Sequence, residues 1–565
     1  MIRKKHLLLP ACILLACSLA SCAKKTTDRC SITDYGAVGD GKTINTKAFI
    51  EAIKACSISG GGTVTVPPGT YVTGAFTLLS NITLHLEAAA TIKGSTDLED
   101  YMIDGKRFGL IRAKDAKNIA ITGPGTIDGS GTSFMDTTTM RNYPDWQAPD
   151  LDPKYTRQGQ DYMHKKFGTQ DGPYVYHARP GRIIRLLNCK NVLLRDITIT
   201  DAPSWTVHFD TCKDVTVTGI RIKNSLLVPN SDGIHCTSCK NVQISDCDIS
   251  AGDDSIAITC IGDQHHQDIL GGEPSTAASS ENITVTNCTL QSRSAGVRVG
   301  YTGGDIKNCT FKNLVIYESN RGLLVNVRGY GSVENVSFSD ITIETRLHTG
   351  HWWGNAEPIH VSAVRGFDTG EKLGKINNVS FSNIIADCES GIVLFGCPES
   401  IIHNLTFDNV KLKVKNSPLN DSYGGNIDLR TAADLSSAIF EHDVPGIYAR
   451  YVDGLKINGL EIDFPEELPP FFNHALHCEH FTNLKIDALN ARQPQLSGVG
   501  AVIAINNGSD VTINNCKAPQ GTDTFLKHAA LTGELVLANN DLSQAKVVLD
   551  PPESKFKQSQ NFLPE

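Results

Sequence analysis

The chain of 565 residues has no basic run and no interleaving of aromatic with basic residues, so nucleic-acid binding has no support. Zinc-ligand spacing is also missing. Cys236-Thr-Ser-Cys239 stands alone, and a pair without a second pair does not build a zinc site. Helical periodicity is scarce: only Thr46 to Cys56, with Ala48, Phe49, Ala52, Ile53 and Cys56 apolar at helical spacing, reads as a convincing helix. Gly60-Gly61-Gly62 lacks the lysine and the order of a phosphate loop. No shift in composition and no linker divides the chain beyond its first residues, so 23–565 is expected to form one domain, ample for a large core. Formal charge is −9, and removing Arg3, Lys4 and Lys5 takes it to −12. An acidic enzyme acting on an acidic polymer then needs local positive charge at its cleft.

Apolar runs long enough to span a membrane are missing too. LLLPACILLACSLA follows Arg3, Lys4 and Lys5 and ends in Leu19-Ala20-Ser21-Cys22, which makes a secretory signal rather than a membrane span. The ending resembles a bacterial lipobox, which implies cleavage before Cys22 and lipidation of it, with Cys17 the poorer alternative. The protein is then expected to be exported and tethered at the periplasmic or outer-membrane face of a Gram-negative bacterium, with AKKTTDR as a short linker.

What the chain does have is a repeat. Polar Asp214 precedes the alternating Val215, Val217, Ile220 and Ile222, and Asn241 precedes Val242, Ile244, Cys247 and Ile249. The pattern recurs at Asn282, Asn308, Asn335, Asn378 and Asn404, at spacings of 27, 41, 26, 27, 43 and 26 residues. Period-two alternation rich in β-branched residues predicts strands. A period in the twenties with occasional long insertions predicts a solenoid whose loops vary at one edge. Strands this short share a core only when stacked, so the expected fold is all-β, a right-handed parallel β-helix. The one helix would cap its open N-terminal end. The pattern loosens beyond about residue 415 but persists at Gly454, Asn483 and Asp510.

Seventeen cysteines in an exported chain would suggest disulfides. Cys189, Cys212 and Cys239 each precede a strand at a similar coil position, however, and Cys247, Cys288 and Cys309 repeat within one. That spacing reads as a buried thiol ladder filling the core, with Cys30–Cys56 and Cys388–Cys397 as less favoured bridges.

Chemistry enters where the repeat breaks. Asp232 and Asp253 lie 21 residues apart, about one coil, and neighbouring strands are roughly 4.8 Å apart, so the two are expected on one outer face. Consecutive Asp253 and Asp254 both reach a cleft only if the chain turns there, which Gly252 allows. Paired carboxylates, one protonated and one ionised, suit glycosidic hydrolysis. Asp is also ordinary corner chemistry, and periodicity alone does not separate the two.

The residues now carry a resemblance. Asn230-Ser231-Asp232-Gly233, Gly252-Asp253-Asp254, ITGPGTIDGSG, APSWTVH and the opening DYGAVGDGKTINTKAFIEAIKAC…GGGTVTVPPGTY resemble glycoside hydrolase family 28, the polygalacturonase family of pectin-cleaving β-helix enzymes, over roughly 30–415. The resemblance implies that Asp253 is the general acid, that Asp232 and Asp254 hold and deprotonate the attacking water with inversion, and that Asn230 belongs to the substrate site. Two departures stand out. Ser294-Ala295-Gly296 replaces the family's Gly-His-Gly, and Leu324-Val325-Asn326 replaces its Arg-Ile-Lys, the basic pair that grips a galacturonate carboxylate. Arg298 and Arg328 lie on the same coils and are candidate replacements, or else surface arginines.

Insertions at 132–180, 262–279 and 345–373 interrupt the coils. Trp146, Trp352 and Trp353 are candidate sugar platforms, or pack their loops. His348, His351, Glu357 and His360, near Arg346, are candidates to replace the missing histidine. Loops walling one edge favour exo-action. The expectation is a monomeric glycoside hydrolase acting on galacturonate-containing glycans, with no metal or organic cofactor. Alternatives are a glycosidase on a non-galacturonate glycan, a polysaccharide lyase, or a catalytically dead glycan binder.

Overall fold

The computed structural model describes residues 29–140, 173–260, 279–348, 352–366, 371–420, 444–494, 500–552 and 557–564. Cys22 and its signal segment, Trp146 and His351 lie outside the described residues.

The strands wind a right-handed parallel β-helix. One turn places Val207–Asp210, Lys213–Thr218 and Arg221–Lys223 on three successive faces, and the next places Ile234–Thr237, Lys240–Ser245 and Asp248–Ala251 beside them. All three pairs are parallel, with Val207 opposite Ile234, Val215 opposite Val242 and Ile222 opposite Ile249. The repeated sequence falls into one register row: Val215, Val242, Ile283, Cys309, Val336, Val379 and Leu405 are successive partners, all buried. Insertions that lengthen the period leave this row intact because the extra residues fall between paired strands. Pairing continues into the C-terminal coils through Lys456–Asp463, Leu476–Asp487 and Ile503–Asn514.

Asparagine makes the corners. Asn241, Asn282, Asn308, Asn335, Asn378 and Asn404 all have φ of 54 to 59°, the left-handed region that asparagine tolerates better than most residues. Their amides also bond from coil to coil: Asn241 Nδ2 donates to Asp214 Oδ1 at 2.8 Å, Asn282 to Asn241 at 3.2 Å, Asn308 to Asn282 at 3.3 Å and Asn335 to Asn308 at 3.2 Å. Each corner therefore sets both the turn and the stacking.

Inside, Phe311, Phe338, Phe381 and Phe407 stack with ring centroids 4.8, 5.1 and 5.0 Å apart. The fourteen described cysteines are buried free thiols, so neither Cys30–Cys56 nor Cys388–Cys397 is a bridge. Cys212 and Cys239 donate to the carbonyls of Leu186 and Phe209 on the preceding coil. Cys309 lies opposite Ile283, and so sits in a different row from Cys288. The helix Thr46–Ile58 buries Ala48, Phe49, Ala52, Ile53 and Cys56, with Phe49 stacked on Phe76 at 4.7 Å. It closes the N-terminal end of the core.

Truncating one member of the phenylalanine stack leaves a void that backbone pairing above and below prevents from collapsing. Phe338→Ala is expected to lower unfolding free energy by about 3–5 kcal/mol, measured by denaturant titration. A loss below about 1 kcal/mol would contradict a rigid stack.

Candidate active site

Six strands build one face: β1 (Val207–Asp210), β2 (Ile234–Thr237), β3 (Ile256–Cys260), β4 (Ala295–Thr302), β5 (Arg321–Val327) and β6 (Ile359–Ala363). Their register puts His208, His235, Ala257, Arg298, Leu324 and His360 in one row. The three aspartates sit in the turns that lead into β2 and β3.

Because Ile234 pairs with Ile256, continuing the register back sets Asp232 beside Asp254, not beside Asp253. The Gly233 amide donates to the Asp254 carbonyl at 2.9 Å. Asp253 is turned out of the strand, and its Oδ1 accepts from the Asp254 amide at 2.9 Å. Gly252 permits this through close approach: a Cβ there would lie 2.3 Å from the Val228 carbonyl oxygen. One oxygen from each of Asp232, Asp253 and Asp254 falls within 4.8 Å of the others, and all three side chains are buried.

Three buried carboxylates need compensation. Arg298 reaches over from β4, its Nε 2.9 Å from Asp254 Oδ2 and its Nη2 3.8 Å from Asp232 Oδ2. The Ala295 amide donates to Asp254 Oδ1 at 3.1 Å. Burial, then the Asp254 charge, pushes the Asp232 carboxyl up to about 8. Burial raises Asp254 as well, while Arg298 pulls it back. Two carboxylates beside one guanidinium thus keep a shared proton at neutral pH. Three convergent oxygens would suit a divalent cation, but Arg298 already supplies positive charge at that point.

Asp253 is surrounded by donors. Asn230 Nδ2 lies 3.4 Å and Trp353 Nε1 3.2 Å from its Oδ2, and Arg179 Nη2 holds Asn230 Oδ1 at 3.1 Å. The structure therefore brings Asn230 and Arg298 to the trio. Arg328 is 4 % exposed, with its guanidinium 4.1 Å from the Tyr301 ring centroid, while Arg298 lies 4.6 Å from the same ring. The surface reading of these arginines is corrected: both are enclosed around Tyr301.

The reading of Trp352 and Trp353 as open sugar platforms is also corrected, since they are 2 % and 8 % exposed and pack with Leu227. Glu357 does not face an open cleft. It is locked to Arg321 Nε at 3.4 Å, His360 Nδ1 at 3.2 Å and the Asn355 amide at 2.6 Å. Although burial opposes ionisation, Arg321 and these donors hold its carboxyl at about 2. His348 is buried near Arg293, and burial keeps its imidazole neutral.

The histidine that meets a member of the aspartate trio is one the sequence reading passed over. His235 Nδ1 lies 3.0 Å from Asp232 Oδ2 and its Nε2 3.1 Å from Thr259 Oγ1, and burial holds its pKa far below the usual value. Trp205 stacks on His235 at 3.8 Å between centroids, and Arg182 lies 4.8 Å from the Trp205 ring. Burial, then Arg185, lowers the Arg182 guanidinium to about 9. The available signal was His235 three residues after Asp232, on the strand whose start carries the acid.

The fold is that of the parallel β-helix proteins, and the site is a buried carboxylate trio held by Arg298. Its residues 157–422 match the glycosyl hydrolases family 28 profile, and 30–142 match the rhamnogalacturonase A/epimerase, pectate lyase-like profile. Over 157–422 the chain is thus similar to glycosyl hydrolases family 28. A probable polygalacturonase of Vitis vinifera is 29% identical over 56% of this chain and 60% of its own length. The exo-poly-alpha-D-galacturonosidase of Dickeya chrysanthemi is 29% identical over 52% of this chain and 51% of its own. The crystal structure of a hyperthermoactive exopolygalacturonase from Thermotoga maritima superposes with a TM-score of 0.52 at 26% identity, covering 68% of this chain and 87% of that one. The chain thus spans about half to three fifths of the length of these two curated relatives.

The raised Asp232 pKa has a signed consequence. The unfolded chain loses this proton near pH 3.8 and the folded chain near 8, so its contribution to stability is present below the former and lost as pH rises through the latter. Asp232→Asn is expected to raise the melting temperature relative to the parent more at pH 8 than at pH 4. An equal offset at both pH values would mean that Asp232 ionises normally.

Proposed function

We propose that the protein hydrolyses glycosidic bonds in galacturonate-containing glycans, releasing sugar from chain ends. The observation that carries this reading is the convergence of Asp232, Asp253 and Asp254 within 4.8 Å, with Arg298 compensating their charge. In this reading Asp253 protonates the leaving oxygen while Asp232 and Asp254 hold and deprotonate water. His235 orients Asp232. Two oxygens of the trio take the water and the third meets the leaving group, so all bond changes fall in one step and the anomeric configuration inverts. Inverting acid–base pairs are usually separated by about 6.5–9.5 Å; the tighter cluster here fits a third carboxylate sharing the base role.

Exo-action is supported by the names of the Dickeya and Thermotoga relatives and by the insertions that interrupt the repeat in sequence at 132–180, 262–279 and 345–373. Export with a lipid on Cys22 rests on the N-terminal sequence. Arg298 and Arg328 take the place of the family's basic pair, because Leu324 is the register partner of Arg298 and offers no charge. This departure, with the match of 30–142 to the rhamnogalacturonase-type profile, favours a mixed rhamnose–galacturonate chain as the second reading.

The test is product analysis by chromatography with parallel ultraviolet absorbance, on galacturonan and rhamnogalacturonan oligosaccharides. Saturated monosaccharide is expected from the parent, with turnover lowered about 10²–10⁴-fold in Asp253→Asn. Unsaturated products would make the protein a lyase. Proton NMR of the first-formed anomer is expected to show inversion, and turnover is expected to survive chelation by EDTA.

A further inference from the structure

Trp353 lies 100 residues from Asp253 in sequence, yet its indole N–H donates to the carboxylate at 3.2 Å. That contact depends on the segment 352–357, which is fastened to β5 and the residue before it. Asn320 Nδ2 donates to the Trp353 carbonyl at 2.8 Å and to the Gly354 carbonyl at 3.3 Å. Arg321, fully buried, holds Glu357 Oε2, which also accepts from the Asn355 amide. Thr345 Oγ1 donates to the Ala356 carbonyl at 2.7 Å. Gly354 has φ 113°, and a Cβ there would lie 2.6 Å from Arg321 Cγ and Nε. The segment can lie flat on the arginine only with glycine at this position.

Such a cluster of buried polar groups and one buried ion pair is costly unless every bond is made. Its product is a single outward result: an indole N–H fixed against one carboxylate of the trio.

We propose that Trp353 is a positioning residue for Asp253, held in place by Asn320 and the Arg321–Glu357 pair, and that it sets the orientation and acidity with which Asp253 gives its proton to the leaving oxygen. This rests on the reading of Asp253 as the acid. A donor on a carboxylate stabilises its ionised form, so the N–H makes Asp253 a stronger acid than burial alone would leave it. It also fixes which oxygen carries the proton. Charged and titratable groups around Asp253 include Asp254 in the same turn, Asp232 in the turn one coil before and Arg298 from β4, with Arg179 behind Asn230.

The test compares substrates that do and do not need protonation of the leaving group. Trp353→Phe keeps the ring and removes the donor. Its loss of kcat/KM on galacturonan is expected to exceed its loss on a nitrophenyl galacturonide by at least tenfold, and the basic limb of the galacturonan pH profile is expected to move up by about one pH unit. Asn320→Ala keeps the indole and cuts its anchor, and should shift both readouts in the same direction by less. Equal losses on the two substrates would overturn the proposal.

A second readout needs no turnover. The full chain, with its four tryptophans replaced by 5-fluorotryptophan, is followed by ¹⁹F NMR against pH, and Trp353→Phe assigns the resonance. The Trp353 signal is expected to titrate in the parent and stay flat in Asp253→Asn. A signal that titrates identically in both overturns the link, whereas a titrating signal in a protein inactive on every galacturonide upholds it and sinks the hydrolase reading instead.

Discussion

Everything in this protein hangs on parallel backbone pairing between successive coils. A strand of four residues such as Ile234–Thr237 satisfies its own amides and carbonyls only through the coil before and the coil after it. Neighbours are held at the strand spacing of roughly 4.8 Å, so residues far apart in sequence become rigidly adjacent. Register converts the chain into coordinates: Ile234 opposite Ile256 is what sets Asp232 against Asp254. A slip of one residue would turn either acid into the core.

The site exploits that rigidity against electrostatics. Buried carboxylates repel one another and lack water, and an unconstrained loop would splay them apart. Here the turns are closed by Gly252 against Val228 and by the Asp254 amide on Asp253, while Arg298 arrives from a strand with no freedom to retreat. The result is preorganised charge, which stabilises a transition state without reorganisation during the reaction. The same logic governs the second layer, where Trp205, His235 and the threonine hydroxyls of Thr237 and Thr259 form a packed polar row.

Sequence alone carried the scaffold far, because solenoid geometry is local and repeated: Asn at the corner, alternation along the strand, a period in the twenties. The three aspartates were legible for the same reason, as breaks in a regular pattern. Legibility failed where contacts cross the period. Arg298 pairing with Asp254 and Arg328 folding onto Tyr301 depend on side-chain directions that the repeat does not specify, and Trp353 reaching Asp253 depends on an insertion that has no repeat to align it. The indoles of Trp352 and Trp353 illustrate the limit, since an aromatic pair in a polar insertion reads equally as platform or as packing until burial decides. His235 was hidden differently, inside an ordinary strand with no departure from the pattern to mark it.

The asparagine corners carry a chemical consequence beyond geometry. Asn241, Asn282, Asn335 and Asn378 are each followed by a β-branched residue, and their amides donate to the preceding coil. Hydrolysis of a side-chain amide to a carboxylate begins when the following backbone nitrogen attacks the side-chain carbonyl, and a bulky, hydrogen-bonded neighbour hinders that attack. The row is thereby protected from an ageing reaction whose product would be a column of like charges one coil apart. Shelf life, and not only fold, is written into which residue follows each corner.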